Sequence, residues 1–224
     1  MFSSLYDRLI APLLFPQQNA CPLCERFIGT GGCICAGCER ELQQQLLSDA
    51  KSAFGLPPLK ACLCAYPYEG TARRMIHLLK YRSAVSLAQP LGEAMCLRLI
   101  HERALYRRID LVIPVPLHPA REEERGYNQA LLLAQAMCRP CRLPLQSGLL
   151  VRTRKTGSQV GRSRAQRMES MRHAFAVTDA KAVTGKVILL VDDVFTTGAT
   201  ALSCADALYA AGAQEVNVIT VCRA

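Results

Sequence analysis

Two adjacent carboxylates close an apolar run in VILLVDDVFTTGATA, Val187 to Ala201, and threonines and a glycine follow at once. Acids at the edge of a core are costly unless something compensates them. At the carboxyl end of a parallel strand, loop amides and helix N-termini converge, and ligands bind there. Thr196, Thr197, Gly198, Ala199 and Thr200 offer backbone N–H groups and hydroxyls to an anion, and Gly198 lets the backbone approach it closely. A helix starting near Ala199 adds its positive end. An anion held there leaves Asp192 and Asp193 beside whatever carries it. Carboxylates accept hydrogen bonds from hydroxyls, so a phosphorylated sugar fits. The acids could also hold Mg2+, directly or through water.

A second chemistry lies upstream. CPLC (21–24) and CAGC (35–38) are two C-x-x-C pairs ten residues apart. Each turn aims two thiolates at one point, and two turns complete a tetrahedral four-cysteine site that suits structural zinc, Zn2+, on Cys21, Cys24, Cys35 and Cys38. Cys33 could replace Cys35, and a redox pair is the competing use. So short and polar a segment cannot build an adequate core, and metal binding would supply its folding energy. Four protein ligands leave no open coordination position, so the knuckle's expected role is structural or partner-docking.

Positive charge supplies a third. Arg152, Arg154, Lys155, Arg162, Arg164 and Arg167 fall in RTRKTGSQVGRSRAQR with no acid among them, and glycines punctuate the run. Arg121 and Arg125 precede a helix that begins near Asn128, which is placed to cap it. Arg125 with Gly126 could reach a diphosphate, or both arginines could pair with Glu122 to Glu124. The net charge is +9. Residues 1–60 are balanced, so the excess lies in residues 61–224 and suits an anionic partner, phosphate ester or nucleic acid. The chain has no Trp, so base stacking would fall to Tyr66, Tyr68, Tyr81 or Tyr127.

The elements that must position these groups alternate. Strands are predicted at 61–68, 110–117, 186–194 and 215–223, and helices at 71–82, 85–104, 128–139 and 199–213. Apolar, β-rich runs between helices argue for an α/β fold, a mostly parallel sheet flanked by helices. Lys80, Arg73 and Arg74 are read on the solvent side of the 71–82 helix. Phe2, Leu5, Leu9 and Leu13 recur at helical spacing, so residues 1–18 read as an amphipathic helix that packs on the protein or touches a membrane surface. Residues 19–60 read as knuckle and linker, ending in GLPPLK, and residues 61–224 as the large domain. No apolar run reaches the ~18–20 residues of a membrane span, so no integral membrane protein is expected. With no secretory signal, the clustered thiols point to a reducing cytoplasm. Cys96, Cys138, Cys204 and Cys222 read as small core residues. Cys62 and Cys64 read as packing residues on one strand face.

The loop VILLVDDVFTTGAT resembles the phosphoribosyl-pyrophosphate signature of the type I phosphoribosyltransferases. With the knuckle, AYPYEGTARRMIHLLKYR, VIPVPLHPAREEERGYNQA and RTRKTGSQVGRSRAQRMESMRHAF, the chain is similar to the ComF family of GntX-like competence and DNA-utilisation proteins. The resemblance covers nearly everything from about residue 20 onward. It implies a type I phosphoribosyltransferase fold in 61–224. Asp192 and Asp193 would take the ribose hydroxyls, and Thr196 to Thr200 the 5′-phosphate. The strand end at Val115 and Pro116 would bind Mg2+-bound pyrophosphate, often through an unusual peptide geometry. The basic stretch with Arg162, Arg164 and Arg167 would close over the site. Many family members carry a second set of knuckles, which this chain lacks after Cys38.

Three functions fit. The first is a ComF-family protein that binds phosphoribosyl pyrophosphate or a nucleotide and handles single-stranded DNA in uptake or utilisation. The second is an active phosphoribosyltransferase on an unidentified base or amine; no general base is evident, and catalytic residues stay unassigned. The third is a scaffold docking competence or recombination proteins through the knuckle. The location expected is the cytoplasm, with peripheral contact at the inner membrane face as an alternative.

Overall fold

The computed structural model describes residues 20–28, 32–46, 53–153 and 174–224. The expected 1–18 helix and the span holding Arg154, Lys155, Arg162, Arg164 and Arg167 lie outside them. Among the described residues, no helix is long and apolar enough to cross a membrane.

One five-stranded sheet organises the chain. It contains β1 (Ala53–Leu56), β2 (Leu59–Pro67), β3 (Leu111–Pro114), β6 (Val187–Phe195) and β7 (Glu215–Arg223), in the order β1-β2-β7-β6-β3. β2, β7, β6 and β3 run parallel, and β1 pairs antiparallel with β2 at the edge. β4 (Leu150–Arg152) and β5 (Phe175–Val177) form a separate antiparallel ribbon. Around the sheet lie α1 (Ala36–Gln44), α2 (Gly70–Tyr81), α3 (Ala88–His101), α4 (Arg103–Tyr106), α5 (Pro119–Arg125), α6 (Gln129–Cys141), α7 (Ala180–Val183) and α8 (Ala199–Ala210).

Continuous apolar strands are what a doubly covered parallel sheet requires. β6 shows why. Leu189 and Val191 enter one core with Met75, Ile76, Leu79, Met95, Leu133 and Met137. Ile188 and Leu190 enter the other with Leu111, Ile113, Cys204, Leu208 and Val218. Helices α2, α3 and α6 thus cover one face and α8 the other.

Several boundaries differ from the sequence expectation. Residues 55–60 are no linker: they belong to the β1–β2 hairpin, whose turn is Pro57-Pro58. The 85–104 helix is a short 3-10 turn (Val85–Leu87) running into α3, then α4 beyond a break at Glu102. β3 ends at Pro114; one further bond to β6 follows from Val115 N–H, and Pro116 then has no N–H to continue the ladder. Cys138, Cys204 and Cys222 are buried free thiols, whereas Cys96 is disulfide-bonded to Cys141, joining α3 to α6 with Cα atoms 6.3 Å apart.

α3 and α6 meet at Gly92. A Cβ there would press on Ala136 Cβ and come within 2.9 Å of both the Leu133 carbonyl oxygen and the Met137 nitrogen. Two of those neighbours are backbone and cannot turn aside. We expect Gly92→Ala to destabilise the fold by about 1–3 kcal/mol, the usual range for overpacking. Urea unfolding of both forms checks it, and an unchanged midpoint would refute the close crossing.

Candidate functional site

The site starts from the alternation along β6. Successive strand residues point to opposite faces. Asp192 therefore follows Ile188 and Leu190 toward α8, and Asp193 follows Leu189 and Val191 toward α2. On the α8 side, Asp192 lines a cavity with Phe195, Thr196, Thr197, Gly198, Ala199 and Thr200. Gly198 caps α8 with φ +78°. A Cβ there would sit 2.5 Å from Leu56 Cδ2 and 2.8 Å from Phe195 Cζ, so the turn needs glycine twice over. The cap gives α8 no side-chain acceptor, and Ala199 N–H reaches Thr197 Oγ1 only at 3.4 Å. First-turn N–H groups left without helical partners are what an anion takes up.

On the α2 side, Asp193 is buried and accepts Lys80 Nζ at 2.9 Å. Burial works against the Lys80 charge, but the Asp193 carboxylate outweighs it and holds the ammonium above its ordinary pKa. Lys80 is thus no free surface cation, contrary to the sequence expectation. Its position could have shown this: it continues the Ala72–Ile76 row at i+4, the buried stripe of α2. Among the described residues Asp192 has no such ion-pair partner. Burial first, and the Asp193 charge second, raise its pKa to about 7, against the backbone N–H of Asp193, which donates to Asp192 Oδ1 at 2.8 Å. Arg152, stacked over Phe175 with its guanidinium 5.5 Å from the ring, also acts on Asp192 electrostatically. Read as part of a basic run, Arg152 gave no sign of this, because only the β4–β5 ribbon brings it there.

The β3 end is tied to the same strand. Val115 is buried, and its N–H donates to the Val191 carbonyl at 2.9 Å. Asn128 caps α6 by accepting Ala130 N–H at 2.9 Å and donates to the Val115 carbonyl at 3.1 Å. Pro116 is half-buried beyond it. Among the described residues the cis peptide bond is Pro57-Pro58, so the Val115–Pro116 stretch has none. Arg125 donates to Gln129 Oε1 at 2.9 Å and lies over the Tyr81 ring.

In the knuckle, one ligand atom from each of Cys21, Cys24, Cys35 and Cys38 lies within 4.8 Å of the others, a group able to hold a metal ion. Cys35 belongs to it and Cys33 does not. The Cys38 backbone N–H, with the Cys24 thiol, lowers the Cys35 pKa to about 6, favouring the thiolate a metal needs. Cys35 N–H in turn reaches Cys21 Sγ at 3.4 Å. The module is fastened to α2: Gln45 Oε1 accepts Ala72 N–H at 3.1 Å, and Glu41 accepts from Thr71 Oγ1 at 2.8 Å and from Arg74 at 3.1 Å.

The fold and this loop define a phosphoribosyltransferase-domain protein, and residues 127–224 match the phosphoribosyl transferase domain family. The DNA utilization protein YhgH of Escherichia coli O157:H7 is 29% identical over 95% of this chain and 93% of its own. Competence protein ComFC of Bacillus subtilis is 36% identical over 50% of this chain and 44% of its own. Glutamine phosphoribosylpyrophosphate amidotransferase from B. subtilis aligns over 61% of this chain and 27% of that one, at 23% identity and a TM-score of 0.35. The chain is thus similar to DNA-utilisation and competence proteins of the ComF kind.

The raised Asp192 pKa has a consequence for stability. The folded chain keeps a proton on Asp192 up to about pH 7, while the unfolded chain releases it near pH 4. Between these values the folded state binds the extra proton, so stability falls as pH rises through that window. Asp192→Asn removes the titrating group. We expect the variant to gain thermal stability over the natural chain at pH 8 relative to pH 4. Melting curves across that range test this, and parallel pH profiles for the two chains would refute it.

Proposed function

We propose that this protein binds phosphoribosyl pyrophosphate, or a related phosphoribosyl ligand, and uses that site in DNA utilisation that includes handling of single-stranded DNA. The observation that carries the reading is one cavity shared by Asp192 and the N-terminal turn of α8. Its Thr196–Thr200 turn suits a 5′-phosphate, and Asp192 suits a ribose hydroxyl beside it. Asp193 can serve the same sugar only while shared with Lys80. The buried Val115 strand end is the candidate for the diphosphate, where Mg2+ would neutralise charge when bound.

Calorimetry with phosphoribosyl pyrophosphate and Mg2+ tests the site. Asp192→Asn and Thr197→Ala should each weaken binding about tenfold, the scale of one lost charge-assisted or buried hydrogen bond. Equal binding by all three proteins would sink the proposal. Pyrophosphate release that depends on Asp192 would make the protein an enzyme; binding without release would make it a ligand-gated module.

For the knuckle we propose structural zinc, held by four thiolates. The purified chain should carry about one zinc per molecule, and Cys35→Ser should lose it while Cys33→Ser keeps it. Because Gln45 caps α2, metal loss should also lower the melting temperature of the whole protein. Metal analysis with melting curves measures both; full stability after chelation would refute a structural role.

A further inference from the structure

A second cleft, of about 360 Å³, opens between the end of α2 and α5, lined by Lys80, Tyr81, Ser83, Arg121, Glu124, Arg125 and Tyr127. Its volume is within the range of about 300–1,000 Å³ that small ligands fill. Tyr81 carries planar neighbours on the cleft and behind it. The Tyr81 ring lies 4.9 Å from the His77 ring, and the Arg125 guanidinium is 5.3 Å from the Tyr81 centroid. Tyr81 is nonetheless 62% exposed, so it keeps surface for a further planar group. Tyr127 is a fixed wall, since its hydroxyl donates to the Leu79 carbonyl.

Charge selects the rest of the ligand. Lys80 is answered by Asp193, and Glu124 offsets one of the two arginines. One guanidinium of positive charge remains, which matches the single charge of a phosphodiester better than the multiple charge of a diphosphate. Aromatic rings flanked by arginine are the general means of holding unstacked bases.

We propose that this cleft binds one nucleotide unit of single-stranded nucleic acid, its base against Tyr81 and Arg125 and its phosphate on Arg121. The inference rests on the DNA-handling part of the function proposed above and gives it a place distinct from the α8 cavity. Lys80 joins the two: its ammonium borders the cleft and pairs with Asp193, the neighbour of Asp192.

Fluorescence anisotropy with a labelled short oligothymidylate tests it, with thymidine monophosphate as competitor. Tyr81→Ala should weaken oligomer binding about tenfold, within the range for loss of one stacked base. Tyr81→Phe should restore it. Arg121→Gln should lower the slope of log affinity against log salt by about one. Tyr81 and Arg121 are exposed, so matching melting temperatures will show that the variants fold. Competition by the monophosphate at similar concentration would support the cleft with a free nucleotide as its natural source. Preference for the oligomer supports the single strand. Oligomer binding unchanged in Tyr81→Ala, or no binding of either probe by the natural chain, would overturn the assignment. Calorimetry with phosphoribosyl pyrophosphate on the same samples separates this failure from that of the α8 cavity, because Tyr81→Ala should leave that affinity unchanged.

Discussion

The ion pair between Lys80 and Asp193 is what allows a buried strand to end in two acids. Burial and the neighbouring Asp193 charge both raise the Asp192 pKa, and two unpaired buried carboxylates side by side would be costly. At 2.9 Å, the Lys80 ammonium meets the charge of one of them on the α2 face. Among the described residues Asp192 has no such cation, and it faces the α8 cavity instead. Removing one partner of such a pair costs about 3–5 kcal/mol in general, because the other charge stays buried. The pair is therefore as much a condition of the fold as of the site.

Helix α2 carries that constraint to distant parts of the chain. At its N-terminus, Glu69 supplies no side-chain cap, and Gln45 from the knuckle module takes the Ala72 N–H instead. Gly70, at φ +50°, leaves no side chain in the space that Gln45 fills. Along its length, Met75, Ile76 and Leu79 pack on the sheet. At its C-terminus the helix delivers Lys80 to Asp193 and Tyr81 to the cleft beside Arg125. Four thiols at one end and two acids at the other thus act on one rigid element twelve residues long. This gives the knuckle a physical reason to sit upstream of the domain: it finishes the helix that neutralises the site.

Much of this was legible in the sequence. The apolar runs of β6 and β7 require coverage on both faces, and the Thr196–Thr200 loop with Gly198 announces a glycine-capped turn between strand and helix. The two C-x-x-C pairs are equally plain, but the choice of Cys35 over Cys33 came only with the folded turns. What the sequence hid was direction. Asp192-Asp193 looks like one acidic pair in print, yet period-two geometry sends the two carboxylates to opposite faces. Lys80 looks like part of a basic surface until the row through Ala72 and Ile76 is followed. Arg152 and Tyr81 depend on contacts between elements far apart in the chain, which no local pattern encodes. GLPPLK looks like a linker because Pro and Gly mark turns as readily as domain boundaries; here they mark a hairpin at the sheet edge.

The divergence of the two acids also sets one strand end beside two separate openings. Asp192 belongs to the α8 cavity, and Asp193 through Lys80 to the α2 cleft. Because Lys80 is held by Asp193, the cleft meets an anion with its arginines rather than with that ammonium. The Asp193 charge in turn acts on the Asp192 proton from the next position of β6. A ligand that displaced Lys80 from Asp193 would therefore be felt in the α8 cavity through adjacent residues, with no domain movement required, and any such coupling would be reciprocal.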